Sequence, residues 1–169
     1  MSPYDEFALE AALVTKEESG KGEVRVLTFG DESSQETLRG ALAVGADGAI
    51  LLQGTVTVDG LATAKVLAGE LEKHDPPLVL FGVKSGDVDQ QQVGPMVATL
   101  LGRPCASNVS GFKLDNDTIV CQREVESGVE VVELDLPAVV TITKGEFEPR
   151  YASLKGIMAA KKKPLEVKD

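Results

Sequence analysis

The stretch EVRVLTFGDESSQETLRGALAVGADGAILL, residues 23–52, sets the expected fold of this chain. Residues 23–29 and 49–52 are short apolar runs, which predicts two strands. Between them, Ser34–Val44 carries apolar residues at helical spacing, and Gly45 is a typical helix end. A strand, a helix and a strand in this order predict a right-handed crossover between parallel strands.

The same alternation continues on both sides of this stretch. Ser2 is placed as an N-cap, with Pro3 as the first residue of a helix that ends at Gly20 and Gly22. Downstream we expect a helix before Pro76, a strand at 78–81, and a helix at Val93–Leu101 capped by Gly102. Alternating strands and helices predict an α/β fold, a doubly wound and mostly parallel sheet of the Rossmann-like, adenine-nucleotide-binding type.

The pattern changes after Pro104. Residues 108–114, 118–126 and 129–134 alternate polar and apolar side chains, with turn residues at 115–117 and 127–128. This predicts antiparallel hairpins at about 106–135, after which the buried strand Ala138–Ile142 returns to the main sheet. We expect one nucleotide-binding domain at 1–143 and a protruding partner-recognition segment at 144–169.

Composition excludes several classes of function. The chain has 27 acidic and 17 basic residues, a net charge of −10, which argues against a nucleic-acid-binding protein. No apolar run approaches the roughly 20 residues that span a bilayer, so no membrane insertion is expected. Cys105 and Cys121 form no metal-binding pair and His74 is the single histidine, so we expect no metal site and no catalytic residue.

The candidate ligand site lies where strands of an open α/β sheet end. Residues 28–30 and 82–92 follow two predicted strands. Gly82 and Gly86 allow close backbone approach, and amides at 90–93 are placed to hold a phosphate at a helix start. Asp87 and Asp89 are assigned to bracing the loop or to a ribose contact. The alternative is a plain acidic turn that caps a helix.

Residues 137–163, PAVVTITKGEFEPRYASLKGIMAAKKK, join the last buried strand to a segment of different character. Gly145, Pro149 and Gly156 are expected to interrupt regular structure there. Residues 144–169 hold seven basic and four acidic residues, so the tail is positive while the rest of the chain is negative. Apolar residues within a basic rim indicate a docking surface, and the alternative is a surface loop that ends in solvated lysines.

Five motifs together resemble one protein family. EPRYASLKGIMAAKKKP (148–164) and REVESGVEVVELDLPAVVTIT (123–143) resemble the recognition loop and the preceding hairpin and strand of electron transfer flavoprotein β subunits. MSPYDEFALEAAL (1–13), QETLRGALAVGADGAILL (35–52) and GDVDQQQVGPMVATLLGRP (86–104) resemble further blocks of the family in the same order. Compared with the family, we expect this chain to lack an N-terminal strand and hairpin and a C-terminal arm.

The resemblance implies an AMP site in this subunit. Carried onto this sequence, the cofactor-binding residues are Ser2, Pro3, Tyr4, Asp5, Phe29, Gly82, Val83, Lys84, Ser85, Gly86, Asp87, Val88, Asp89, Gln90, Gln91, Gln92 and Val93. Val83 departs from the lysine that many members have. The VGP sequence at 93–95 is closer to the electron-bifurcating branch, which implies a second FAD in place of AMP as an alternative.

The resemblance also implies an electron carrier without bond-making catalysis. Its partners would be an α subunit holding the redox FAD, flavin dehydrogenases such as acyl-CoA dehydrogenases, and an electron-accepting quinone oxidoreductase. The implied docking residues are Arg150, Tyr151, Leu154, Ile157, Met158, Lys161, Lys162 and Lys163. The implied location is the cytoplasm of a bacterium or archaeon, or the mitochondrial matrix of a eukaryote. The rival functions are a stand-alone adenylate-binding module and an ATP-using hydrolase or ligase, although the chain has no SGG-type phosphate loop.

Overall fold

A computed structural model describes residues 1–55, 59–85 and 89–169 of the chain. These residues form two compact units. The first unit comprises Met1–Ala8 and Asp59–Glu148, and the second comprises Leu9–Val58 and Pro149–Asp169. The domain boundary predicted near residue 143 stays a prediction.

Five helices and eight strands follow one another in the described ranges. In chain order they are α1 (Pro3–Ser19), β1 (Arg25–Gly30), α2 (Ser34–Val44), β2 (Gly48–Gln53), α3 (Gly60–His74), β3 (Leu78–Gly82), α4 (Val93–Leu101), β4 (Cys105–Asp115), β5 (Thr118–Val125), β6 (Gly128–Asp135), β7 (Ala138–Ile142), α5 (Leu154–Ala160) and β8 (Leu165–Lys168). No helix of the described ranges is both long and apolar enough to cross a bilayer.

The second unit is built on a three-stranded parallel sheet in the order β1-β2-β8. β2 is buried from Gly48 to Leu52, as its unbroken apolar sequence predicts. Leu38 and Leu42 of α2 pack with Leu51 in the core of this unit. The strand, helix and strand predicted from residues 23–52 are therefore confirmed.

The first unit contains a five-stranded sheet in the order β3-β7-β4-β5-β6. β7 lies between β3 and β4, is parallel to both, and is buried at every residue. β4, β5 and β6 form the predicted antiparallel meander. The predicted α/β fold, mostly parallel with an antiparallel part, is confirmed.

β4 takes part in both kinds of pairing. Its first residues pair parallel with β7, and its register shifts on both sides between Ala106 and Gly111. Asn108 sits in this irregular stretch with φ of 59°, and its N–H donates to Thr141 Oγ1 at 3.0 Å. Such a bulge re-aims a strand, which allows the second half of β4 to pair antiparallel with β5.

Two elements near the C-terminus contradict the sequence-based expectation. Gly156 was expected to interrupt regular structure, yet it lies inside α5, and residues after the lysines form β8 beside β2. The space around Gly156 gives the reason for the first difference. A Cβ at this position would stand 2.3 Å from Ala43 O, so the glycine permits a close approach of α5 to the end of α2.

Candidate functional site

Residues 2–5 lie directly against the carboxyl end of β3 in the first unit. Ser2 Oγ accepts from the N–H of Tyr4 at 3.3 Å, which confirms the predicted cap of α1, and donates to Lys84 O at 3.1 Å. The Asp5 carboxylate accepts from the N–H of Gly82 at 3.2 Å and from the N–H of Ser2 at 3.3 Å. Burial raises the pKa of Asp5 despite these hydrogen bonds.

Gly82 makes this contact possible. A Cβ on Gly82 would stand 2.6 Å from Asp5 Oδ1 and 2.7 Å from both Asp5 N and Tyr4 C. Two of these three atoms belong to the backbone, so a side chain here would push the start of α1 away from β3. The close approach at Gly82 is therefore to residues 2–5 of the same chain, and the predicted approach of Gly82 to a ligand stays a prediction.

Lys84 follows the end of β3, in the described part of the predicted loop. Its Nζ lies 5.6 Å from the centre of the Tyr4 ring and 2.6 Å from Asp89 Oδ1. The hydrogen bond to Asp89 raises the pKa of Lys84. This ion pair fits the predicted bracing role of Asp89, while Lys84 keeps a cationic group beside an aromatic ring at the end of β3.

The start of α4 has a backbone suited to an anion. Gln91 has φ of 54°, and Gln92 follows with φ of −108° and ψ of −32°. A left-handed residue followed by a right-handed one turns successive N–H groups to the same side, which is the geometry of an anion-binding nest. The side chain of Gln92 accepts no hydrogen bond from the first N–H groups of α4. These N–H groups are therefore placed to meet an anion.

Most predicted cofactor-binding residues therefore lie in one unit. Residues 2–5, the end of β3 and the start of α4 all belong to the first unit. Val83 is buried, and its N–H donates to Ile142 O at 2.8 Å, so it extends the pairing of β3 with β7. Phe29 belongs to the second unit, where its ring packs on Gly54. Gly86, Asp87 and Val88 lie outside the described residues.

The predicted docking residues of the second unit include a strongly exposed apolar patch, which we define as Tyr151, Leu154, Ile157 and Met158. The exposed fractions are 98% for Tyr151, 83% for Leu154, 46% for Ile157 and 72% for Met158. Lys155, Lys161 and Lys162 are also exposed and surround the patch in sequence. Apolar exposure concentrated in one short segment, with lysines between and after the apolar residues, is typical of an interaction site.

Arg150 fastens the chain just before this patch. Its guanidinium donates to Glu10 at 2.7–3.1 Å and to Glu17 at 2.6 and 3.0 Å, both on α1. Glu10 is buried, and hydrogen bonds to Glu17 and then Glu10 raise the pKa of Arg150 further above its usual range. Arg150 therefore serves to hold the segment, and a direct partner contact by this side chain stays a prediction.

A second set of contacts fastens the chain after the patch. Lys163 Nζ donates to Ala46 O at 2.6 Å and to Leu42 O at 3.0 Å, near the end of α2. Arg39 Nη1 of α2 donates to Ala160 O at 2.6 Å and to Lys163 O at 2.9 Å. A cation at the C-terminus of a helix also complements the helix dipole. Both ends of the apolar patch are thus fixed to the second unit.

The remaining reactive side chains are buried, partly buried or paired. Burial raises the pKa of Cys121 to about 11 and also raises that of Cys105, so both thiols stay protonated near neutral pH. His74 Nε2 lies 2.9 Å from the buried carboxylate of Glu70, which also pairs with Lys73. Within residues 1–55, 59–85 and 89–169, no group of His, Cys, Asp and Glu side chains is arranged to hold a metal.

The model of the electron transfer flavoprotein domain matches residues 1–169. The chain belongs to the electron transfer flavoprotein family. The resemblance read from the five motifs is confirmed over the whole chain.

Similar proteins come from bacteria, plants and animals. The chain is 42% identical over 168 residues to a protein of Bradyrhizobium diazoefficiens, covering 99% of the chain and 68% of the relative. It is 41% identical over 168 residues to a protein of Arabidopsis thaliana, covering 98% and 67%. It is 40% identical over 171 residues to a human protein, covering 99% and 67%. All three are named electron transfer flavoprotein subunit beta, the plant protein with the addition "mitochondrial".

The sequence did not predict the residues that hold the two ends of the apolar patch. Glu10, Glu17 and Arg39 lie more than 100 positions before their partners, and nothing in their local spacing points to those partners. One signal was available. Ser153 stands three residues before Gly156, and its Oγ accepts from the N–H of Gly156 at 3.0 Å, as an N-cap does.

Proposed function

We propose that this chain is the electron-carrying β subunit of a heterodimeric electron transfer flavoprotein. In this proposal it binds AMP in the first unit, helps an α subunit to form the FAD cleft, and docks dehydrogenases such as acyl-CoA dehydrogenases through the apolar patch. The chain itself makes and breaks no bonds. Membership of the family and the names of the relatives support the heterodimer, since a β subunit implies an α subunit.

The exposure of Leu154 is the observation that carries the docking proposal. An 83% exposed leucine at the start of α5 serves no purpose in the packing of its own unit. The contacts of Arg150 and Lys163 on either side limit the conformations that the patch can adopt. A rigid apolar anchor loses less conformational entropy when it enters a partner's pocket than a mobile one does.

Three features support adenine-nucleotide binding in the first unit. Gly82 brings backbone to within contact distance of residues 2–5, Lys84 supplies a cation, and the amides at Gln91 and Gln92 have nest geometry. A phosphate group needs this combination of backbone N–H groups and positive charge. The residues present therefore fit the phosphate end of AMP. A bound flavin in the heterodimer supplies the electron-transfer chemistry, while the residues of this chain bind, orient and dock.

Reconstitution with the α subunit tests the proposal. The full chain is co-expressed with its cognate α subunit, and the purified complex is analysed for bound nucleotides by mass spectrometry. We expect a yellow heterodimer with one FAD and one AMP, which an acyl-CoA dehydrogenase reduces in the presence of its substrate. Two FAD molecules per complex would favour the bifurcating alternative. Nucleotide binding without assembly would favour a stand-alone module, and ATP hydrolysis would favour the enzyme.

The nucleotide site is tested by removing its cation. Lys84→Gln should weaken AMP binding by about tenfold, because glutamine cannot form the charge-assisted hydrogen bond to phosphate that an ammonium group forms. Lys113→Gln, an exposed lysine of β4 in the same unit, is the matched control and should bind AMP as the parent does. Calorimetry on the AMP-free heterodimer measures both affinities. Equal affinity for parent and Lys84→Gln would place the phosphate elsewhere.

The remaining assignments follow from the same proposal. We propose an electron-accepting quinone oxidoreductase as the second partner, which receives the electrons that the dehydrogenase donates. We also propose the cytoplasm as the location in a bacterium or archaeon, and the mitochondrial matrix in a eukaryote. The Arabidopsis relative, whose name includes "mitochondrial", supports the second location. Fractionation of cells that express the tagged full-length protein tests both.

A further inference from the structure

β6 is the edge strand of the five-stranded sheet, and most of its residues are exposed to solvent. It pairs with β5 from Gly128 to Asp135 without a register shift, and among the described strands it has no neighbour on its other side. Val129 is 63% exposed and Val131 is 69% exposed. An extended edge of this kind presents unpaired N–H and C=O groups to any strand that meets it.

The exposed valines share one face with neighbours on β5. Val131 lies opposite Gln122, Val129 opposite Glu124, and Glu133 opposite Val120. Directly opposite residues of antiparallel strands point to the same face, so Val120, Val129 and Val131 form one apolar strip. A cavity of about 420 Å³ lies on the first unit beside this strip, and its lining includes Val120, Gln122, Val131 and Glu146.

Three of the features that protect exposed edges from pairing are absent from this strand, and the charges that it does carry are all negative. Residues 128–135, GVEVVELD, contain no proline, no lysine and no bulge. The strand is instead acidic, with Glu130, Glu133 and Asp135. Arg123 pairs with Glu130 at 3.3 Å and balances one of these charges. Negative charges on an edge strand repel acidic strands, so an edge that is partly apolar and acidic is suited to a strand of complementary charge.

Charge argues against a second copy of this chain as the occupant. Antiparallel pairing of two β6 strands would bring the same three carboxylates from each copy to the seam. β6 contributes no lysine or arginine to offset them, and like charges across a strand pair are destabilising. The preferred occupant therefore carries basic side chains between apolar ones.

We infer that β6 is an assembly edge that pairs with an extended, basic segment of the α subunit. This inference rests on the proposed function, because it assigns the α subunit as the partner. The added strand would cover Val129 and Val131, place lysine or arginine side chains near Glu133 and Asp135, and extend the sheet of the first unit by one strand.

A single charge at the edge tests the inference in the full-length chain. Val131→Lys keeps an exposed position but places a cation on the apolar strip, next to Glu133, where it would repel the basic side chains of the added strand. We expect the dissociation constant of the heterodimer, measured by sedimentation or fluorescence titration, to rise at least tenfold. Val66→Lys, the same change at an exposed valine of α3 in the same unit, is the matched control and should assemble as the parent does. The melting temperature of each isolated chain should stay within a few degrees of the parent value.

Amide hydrogen exchange gives a second, independent result. On assembly, amides of Gly128–Asp135 should become at least tenfold slower to exchange, because edge N–H groups gain partners. Unchanged exchange in β6 together with a parent-like Val131→Lys complex would overturn the inference and leave the proposed function standing. Protection that grows with concentration of the isolated chain would assign the edge to a second copy instead. A parent chain that forms no complex with the α subunit would overturn both proposals.

Discussion

Arg150 illustrates how a single residue can decide what a surface segment does. Its position in a basic, exposed-looking motif predicted contact with a partner, whereas its guanidinium is occupied by Glu10 and Glu17 of its own chain. Glu10 is buried, so it requires a cation. Arg150 thus fixes the start of the segment that carries Tyr151 and Leu154 to α1.

We predict that Arg150→Lys lowers the unfolding free energy by about 1–2 kcal/mol. Lysine keeps the charge but cannot form the forked hydrogen bonds to two carboxylates. The loss should be smaller than the 3–5 kcal/mol typical of a fully buried pair, because about a third of the Arg150 side chain is exposed. Urea titration of the full chain measures the change.

The control for this variant is Arg25→Lys. Arg25 pairs with Glu23 on the exposed side of β1, so its replacement should leave the unfolding free energy at the parent value. In the heterodimer, Arg150→Lys should also slow reduction by the dehydrogenase although the apolar patch is intact. Equal stability and equal reduction rates for both variants would contradict the fastening role of Arg150.

At the scale of elements, α5 shows how a glycine within a helix can serve packing. Gly156→Val should destabilise the chain by about 1–3 kcal/mol, since the new side chain meets the backbone oxygen of Ala43 and the helix must move. Gly40→Ala is the matched control. Gly40 lies within α2 with open space around it, so alanine there should stabilise the chain by about 0.5–1 kcal/mol. Thermal unfolding of both variants decides, and destabilisation of equal size would refute the contact argument.

The elements that sequence predicted well are those with strong local patterns. β2 and β7 are unbroken apolar runs, and the helix at Ser34–Val44 has a clear period and a glycine end, so their type and place were predicted correctly. α5 and β8 have seven and four residues and lack a pattern of that length. Their stability comes from contacts with α2 and β2, which are distant in sequence. Local propensity cannot report such contacts.

The candidate site was predictable to a similar extent. Topology alone placed residues 82–92 at the carboxyl end of a strand, and the resemblance added residues 2–5, which the structure sets against Gly82. The ion pair of Lys84 with Asp89 and the backbone angles of Gln91 and Gln92 depend on three-dimensional contacts, which spacing does not encode. The location of the site stays a prediction, and the sequence indicates the elements that would form it better than the atoms.

At the scale of the whole molecule, charge and apolar exposure are unevenly distributed along the chain. The net charge is −10, yet residues 144–169 carry more basic than acidic side chains. Arg150 and Lys163 are engaged within the second unit, so Lys155, Lys161 and Lys162 remain as the exposed cations near the apolar patch. Exposed charges accelerate encounter with an oppositely charged partner, whereas buried apolar side chains determine how long the complex lasts.

This division of roles predicts different effects for two variants of the heterodimer. Leu154→Ala should weaken dehydrogenase binding by about 2 kcal/mol, roughly thirtyfold, as truncation of an interface anchor does. Its flavin content and melting temperature should match the parent, because the side chain is exposed in the free protein. Replacing Lys161 and Lys162 by Gln should instead lower the association rate at low salt and have little effect at high salt, because ions screen exposed charges.

Stopped-flow reduction at increasing dehydrogenase concentration distinguishes these effects, since it separates the association rate from the reduction rate at saturation. Leu61→Ala is the matched control for Leu154, because Leu61 is also an exposed leucine near the start of a helix, in the first unit. It should leave the concentration dependence unchanged. A Leu154→Ala heterodimer that melts earlier but is reduced at the parent rate would mean that Leu154 supports folding. A Leu61→Ala heterodimer with the same loss of dehydrogenase binding as Leu154→Ala would mean that truncation of any exposed leucine weakens binding. Only a defect confined to Leu154→Ala, with unchanged melting, agrees with docking through the apolar patch.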